Sequence, residues 1–439
     1  LIGNSLQFLG RGDMPVEYLQ QVAQAHGDLV RLQAGGRTIY VVSAPELVHE
    51  VLTRRPTEFH KLEVLSDAPR TLDRFLGGGL LTSDYEEWKP QRKIIQPLMH
   101  TTHIQGYAGA MAASGERLLA QWEDGEVRNL HADMTQVTMW IIAATMFGTD
   151  ITNTPEIEHA ARLAQDIALA DITLPLPGPL GFQRDRQAQE VNAVLSALVA
   201  RMMAERRADP QAQTRNDLLT LLMRTTDEDG NPMPDQFVRN NILTLFFAGH
   251  ETTANTLTWA LHFLDANPPV REQLHAEVDR VLGGRAPALA DLPNLPYTEM
   301  VIKETMRCEP TVAVVPRAVV APLELSGYQL APNSVVFLSI YNLHHDARWW
   351  EDPDRFDPQR FAPAREAHIP KYAYLPFGGG PRICIGNHFA LMEAQILLAL
   401  IACRFRLEHV GETRVTPLRR ITTEPRGGLT MRVVRRQTV

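Results

Sequence analysis

The arrangement in this chain best suited to chemistry is one cysteine in a glycine-rich loop, Phe377-Gly378-Gly379-Gly380-Pro381-Arg382-Ile383-Cys384-Ile385-Gly386. A strongly apolar run follows over 387–403. It reads as a helix with Phe389, Met392, Ile396, Leu397 and Leu400 along one core-facing side. The first turn of a helix offers unpaired backbone N–H groups and a partial positive charge, worth roughly 0.3 to 1 kcal/mol to an anion, and so favours a thiolate. Gly380 and Gly386 lack a Cβ, so a flat group can approach the backbone closely. One cysteine with no C-x-x-C partner is a poor zinc or iron–sulfur site, whereas a single axial thiolate suits haem. Cys308 and Cys403 have no such loop and read as core.

A second chemical signal lies in the middle of a long apolar segment, Leu243-Thr244-Leu245-Phe246-Phe247-Ala248-Gly249-His250-Glu251-Thr252-Thr253. Gly249 inside a helix costs roughly 0.5 to 1 kcal/mol relative to alanine, so something other than helix stability explains it. A threonine at 252 can bond back to the Ala248 carbonyl and loosen the ladder, leaving a groove edged by a hydroxyl and a carboxylate. His250 is expected to face solvent or a polar network. A third signal is Glu304-x-x-Arg307, whose members share a helix face, with Arg360 available to fork onto the same carboxylate.

Together these motifs resemble the cytochrome P450 superfamily. The cysteine loop matches F-x-x-G-x-R-x-C-x-G at Phe377, Gly380, Arg382, Cys384 and Gly386, with Ala390 continuing the pattern. Ala248-Gly249-His250-Glu251-Thr252 matches the family's A/G-G-x-D/E-T, and Glu304-x-x-Arg307 lies between the two, as in that family. Gln359 departs from the usual P-E-R-F around Arg360, but the arginine is the network member. The resemblance implies haem b with Cys384 as sole metal ligand, Phe377 shielding the thiolate, and Gly378 and Gly386 lining the haem loop. It also implies that Trp88 and Arg92 (from Trp88-Lys89-Pro90-Gln91-Arg92), Arg317 and Arg382 meet the haem propionates. Ala248, Gly249, Glu251 and Thr252 would serve oxygen activation, Glu251 connecting a Thr252-bound water to solvent as the proton source. Phe246, Ala248 and residues 311–315, including Val312 and Val314, would line an apolar substrate pocket. Glu304, Arg307 and Arg360 would serve folding and haem retention.

The elements that must position these groups are mostly helices, expected over 16–25, 45–52, 85–98, 187–207, 235–267 and 297–306, with 137–147 and 396–403 as buried helices. The 235–267 segment is long enough, on the order of 50 Å, to cross the whole molecule. Strands are expected as a hairpin over 29–42 and near 335–340 and 429–434. The fold expected is mainly α with a minor β-lobe, haem lying between a long central helix and the cysteine-loop helix. No linker or low-complexity run divides the 439 residues, so a single domain over 1–439 is expected.

A net charge of −8 argues against nucleic acid as a partner, and three scattered cysteines suggest a reducing, cytoplasmic setting. No apolar run approaches the ~20 residues of a membrane span. The sequence opens on Leu1 rather than Met, and a preceding anchor or leader is compatible with it. No flavin- or nicotinamide-binding pattern is present, so no flavin is expected in this chain. A ferredoxin or flavodoxin with its reductase is expected to supply electrons, and the resemblance implies a docking face that includes Lys89, Lys93 and, unless a propionate occupies it, Arg92. The reading is a dioxygen-using haem-thiolate monooxygenase acting on a hydrophobic small molecule, a fatty acid or isoprenoid. The proline-rich 174–182 stretch would form an apolar lip. A peroxide-driven peroxygenase and a non-catalytic haem-thiolate sensor are the alternatives.

Overall fold

The computed structural model describes residues 13–34, 36–62, 72–148, 155–173, 182–227, 229–411 and 415–437. They fall into two compact units, each drawing on three separated stretches of chain: Leu1–Leu98, Ile142–Ala248 and Val314–Ser339 in one, and Met99–Ile141, Gly249–Ala313 and Ile340–Val439 in the other.

In the first unit, the β-branched residues of Leu29–Ala34 and Arg37–Val42 form the expected hairpin, with Gly36 at φ +78° in its turn. Strand Arg37–Val42 also pairs in parallel with Ser334–Ser339, which pairs on its other side, antiparallel, with Val314–Val319. In strand Leu29–Ala34, Val30, Leu32 and Ala34 are buried while Arg31 and Gln33 are exposed, the period of two that a one-sided strand requires. Leu19 of helix Val16–His26 packs into the resulting apolar cluster beside Val41 and Phe337. This β-lobe sets Arg317 opposite Val336.

Helix Tyr85–Ile95 is shorter than the expected 85–98; Pro97 lacks the N–H that would continue it, and Gln96–Met99 closes as a 3-10 turn. Helix Pro45–His49 likewise gives way to a π-helical turn, Glu50–Arg54. Helix Phe182–Ala208 begins five residues earlier than expected. Residues 174–181 of the proposed lip lie outside the described residues, and Phe182 is exposed. The helix is tied down by Arg206, which is buried, pairs with Asp217 and donates to the Phe147 carbonyl at 2.7 Å.

In the second unit the cysteine-loop helix runs Asn387–Arg404. Its 396–403 run is buried, as are Phe389 and Met392; the polar Glu393 and Gln395 are buried with them, which the sequence does not signal. Gly115 of helix Ala108–Leu119 allows close packing, since a Cβ there would lie 2.7 Å from Leu400 and 2.9 Å from Leu397. Strand Thr430–Arg435 pairs on either side with Val127–Asn129 and Phe405–His409. Strands Pro417–Arg419 and Thr423–Pro425 form a short hairpin that the sequence reading did not anticipate. The E-x-x-R helix runs Pro296–Cys308, and of the central helix, Asp235–Ala266, residues 249–266 belong to this unit and 235–248 to the first. Among the described residues, no helix is long and apolar enough to cross a membrane.

Candidate active site

The cysteine loop is shaped by its backbone. Gly378 and Gly380 adopt φ +68° and +69°, where a side chain would be strained, and the Cys384 N–H donates to the Phe377 carbonyl at 2.9 Å. Gly379 lies against the Tyr372 ring, 2.8 Å from where a Cβ would stand. Gly386 caps the following helix at φ −94°, and a Cβ there would meet nothing closer than Met99 at 3.9 Å. Neither strain nor internal packing therefore requires glycine at 386, which fits a position kept bare for a group from outside the chain.

The three cysteines differ sharply. Cys384 is exposed, Arg382 half-buried and Phe377 half-buried, whereas Cys308 and Cys403 are buried. Burial pushes the Cys308 thiol well above its ordinary range, and the Cys403 thiol is also raised by burial. Neither buried thiol is suited to act as a thiolate. Among the described residues no cluster of three or more His, Cys, Asp or Glu side chains is placed to hold a metal ion. One exposed cysteine on a glycine loop fits a metal that brings its other ligands with it, as haem iron does.

The central helix changes character where its sequence does. Residues 241–247 are buried, Ala248 is exposed, and Gly249, Glu251 and Thr252 are half-buried. His250 is buried at 3% exposure, which corrects the solvent-facing alternative for that side chain. Back-bonding to the helix is present at Thr253, to the Gly249 carbonyl at 3.4 Å, and at Thr256, to the Thr252 carbonyl at 2.9 Å. Glu251 accepts a hydrogen bond from Thr422. Phe246 is buried against Phe147 and Phe247, while Val312 is exposed and Val314 half-buried.

The structure brings Glu304, Arg307 and Arg360 together. Arg307 forks onto both Glu304 oxygens at 2.7 and 2.9 Å, and Arg360 Nε reaches the Oε1 atom at 3.3 Å. The Asp357 N–H adds a bond of 2.8 Å to that oxygen, and Arg307 donates to the His344 carbonyl at 2.8 Å. Gln359 lies outside this carboxylate's shell and gives its N–H to Asp357. In the first unit Trp88 is buried beside Tyr85, Arg92 is half-buried and donates to Gln96 at 3.2 Å, and Arg317 is buried with Nη1 on the Pro316 carbonyl at 2.8 Å.

Two features escaped the sequence reading: the buried Glu393 and the partner of Glu251. Glu393 is fully buried with neither carboxyl oxygen hydrogen-bonded among the described residues, and burial holds its carboxyl well above the usual range. Thr422 carries no motif, and its partner Glu251 stands 171 residues away. The only sequence signal was the β-branched Ile421-Thr422-Thr423 near the C-terminal strands.

The family model for cytochrome P450 matches residues 1–431, so the chain belongs to the cytochrome P450 family. It is a haem-dependent monooxygenase, of a family whose iron is held by a cysteine thiolate. It is 36% identical to cyclooctatin synthase of Streptomyces melanosporofaciens, over 92% of this chain and 88% of the relative. It is 35% identical to cyclooctat-9-en-7-ol 5-monooxygenase of the same organism, over 94% and 89%. Pentalenene oxygenase of Streptomyces avermitilis is 30% identical, over 95% and 92%.

Proposed function

We propose that this monooxygenase binds haem b through Cys384 and hydroxylates an isoprenoid-type hydrophobic molecule, using dioxygen and electrons from a separate ferredoxin or flavodoxin. The observation that carries the ligand assignment is the contrast among the three cysteines, of which Cys384 alone is exposed. Arg92, Arg317 and Arg382, with Trp88, are the proposed partners of the propionates, because guanidinium groups fork onto carboxylates. Haem, when bound, supplies dioxygen activation and the insertion of one oxygen atom into a C–H bond. The chain contributes the thiolate, the proton route and the orientation of substrate. Thr252 presents a hydroxyl and Glu251 a carboxyl at the half-buried stretch of the central helix, which suits them to pass a proton inward.

Phe246, Val312 and Val314 are proposed to select substrate by shape and desolvation, since none offers a charge. The relatives named for cyclooctat-9-en-7-ol and pentalenene favour an isoprenoid over a fatty acid. The test compares turnover of a terpenoid panel with a ferredoxin system and with hydrogen peroxide alone. Donor-driven hydroxylation is expected; turnover only with peroxide, or no response of the haem spectrum to any terpenoid, would overturn the reading. Lys89 and Lys93 are exposed on the early helix and are proposed to dock the acidic donor. The first-electron rate should then fall with added salt and with Lys93→Glu.

A further inference from the structure

The turn between strands Pro417–Arg419 and Thr423–Pro425 presents one buried hydroxyl, that of Thr422, to Glu251. The turn is pinned by hydrogen bonds on either side. Thr423 donates from Oγ1 to the Pro310 carbonyl at 3.0 Å and from its N–H to the Thr311 carbonyl at 2.8 Å. Its own carbonyl accepts from Trp259 Nε1 at 3.3 Å, about two turns along the central helix from Glu251. At the base of the hairpin Arg419 pairs with Glu309. The hydroxyl is thus held in a frame fixed to the same helix that carries the acid.

We propose that Thr422 is a positioning residue for proton delivery, holding the Glu251 carboxyl in one orientation through successive protonation states. The proposal rests on the reading of Glu251 as the proton source. A hydroxyl is both donor and acceptor. It donates to the carboxylate, as seen here, and can accept from the carboxylic acid once Glu251 has taken a proton from solvent. A lysine or arginine in that place would do only the first and would favour the charged form. No bond is made or broken at Thr422; the proton that Glu251 passes inward is replaced from solvent, and Thr422 ends each cycle unchanged.

The test uses the haem-loaded protein as Thr422→Val, Thr422→Ser, Glu251→Gln and the Thr422→Val/Glu251→Gln double variant. Product formed per electron pair should fall at least threefold in Thr422→Val, with hydrogen peroxide release rising to match and with ligand affinity and haem content unchanged. Thr422→Ser should restore coupling, and the double variant should be no worse than Glu251→Gln alone. A readout independent of turnover is the crystal structure of Thr422→Val, in which Glu251 should occupy more than one rotamer; if Val proves unstable, Thr422→Ala takes its place. Wild-type coupling or a single Glu251 rotamer in the valine or alanine variant, or additive losses in the double variant, would overturn the inference alone. Full coupling in Glu251→Gln would overturn both the proton-source reading and the inference built on it.

Discussion

Glu251 and Thr252 are half-buried in a helix whose preceding residues 241–247 are all buried, so both can meet a small molecule or water without leaving their element. The contribution proposed for them is a proton rather than a ligand. Glu251→Gln and Thr252→Ala are therefore expected to keep haem and substrate binding while coupled turnover drops by about tenfold or more. Peroxide release per electron measures this; unchanged coupling would place the proton route elsewhere. These two residues, and Cys384 in its glycine loop, were legible in the sequence because each signal is a spacing of a few residues along one element. Thr422 was not. It meets Glu251 only after a hairpin with no chemical motif has folded against the central helix, and its β-branched neighbours signal a strand rather than a partner for an acid.

At the scale of elements, the E-x-x-R helix is fixed by a carboxylate with two arginines and a backbone N–H around it, and both Glu304 and Arg307 are fully buried. Removing Glu304 leaves two guanidinium groups buried without their counter-charge. Glu304→Ala should cost about 3 to 5 kcal/mol, seen as a lower urea midpoint and a lower haem content. A loss below about 1 kcal/mol would show that the arginines find other partners. The long helices were readable from apolar spacing, and the 29–42 hairpin from its β-branched residues around a glycine turn. The burial of 396–403 was readable from its unbroken apolar run, whereas that of Glu393 and Gln395 in the same helix was not, because it comes from packing that no periodicity encodes. The strands of the 417–425 hairpin are three residues each, too short to show an alternation.

At the scale of the whole molecule, buried histidines contribute to the response to acid. Burial, then the Arg307 charge, lowers His345 to about 3, and burial, then Arg436, lowers His275 to about 4. Ordinary histidines titrate near 6.5, so below that pH the unfolded chain binds protons that the folded chain refuses. This contribution to stability is complete above about pH 6.5 and is lost as the pH falls toward 4. The urea midpoint should fall between pH 7.5 and 5, and His275→Gln should flatten part of that slope. A midpoint constant or rising on acidification would contradict the assignment. The composition, mainly α with a small β-lobe, was legible throughout, whereas the pairing of Arg37–Val42 with Ser334–Ser339 was not, because nearly three hundred residues separate them.

The central claim is that Cys384, and no other cysteine, ligates the haem iron. The most direct measurement is the absorption spectrum of the reduced carbon-monoxide adduct in Cys384→Ser and Cys403→Ser. The account predicts that the red-shifted Soret band of a thiolate ligand disappears in the first variant and persists in the second; the band surviving in Cys384→Ser, or vanishing in Cys403→Ser, would contradict it.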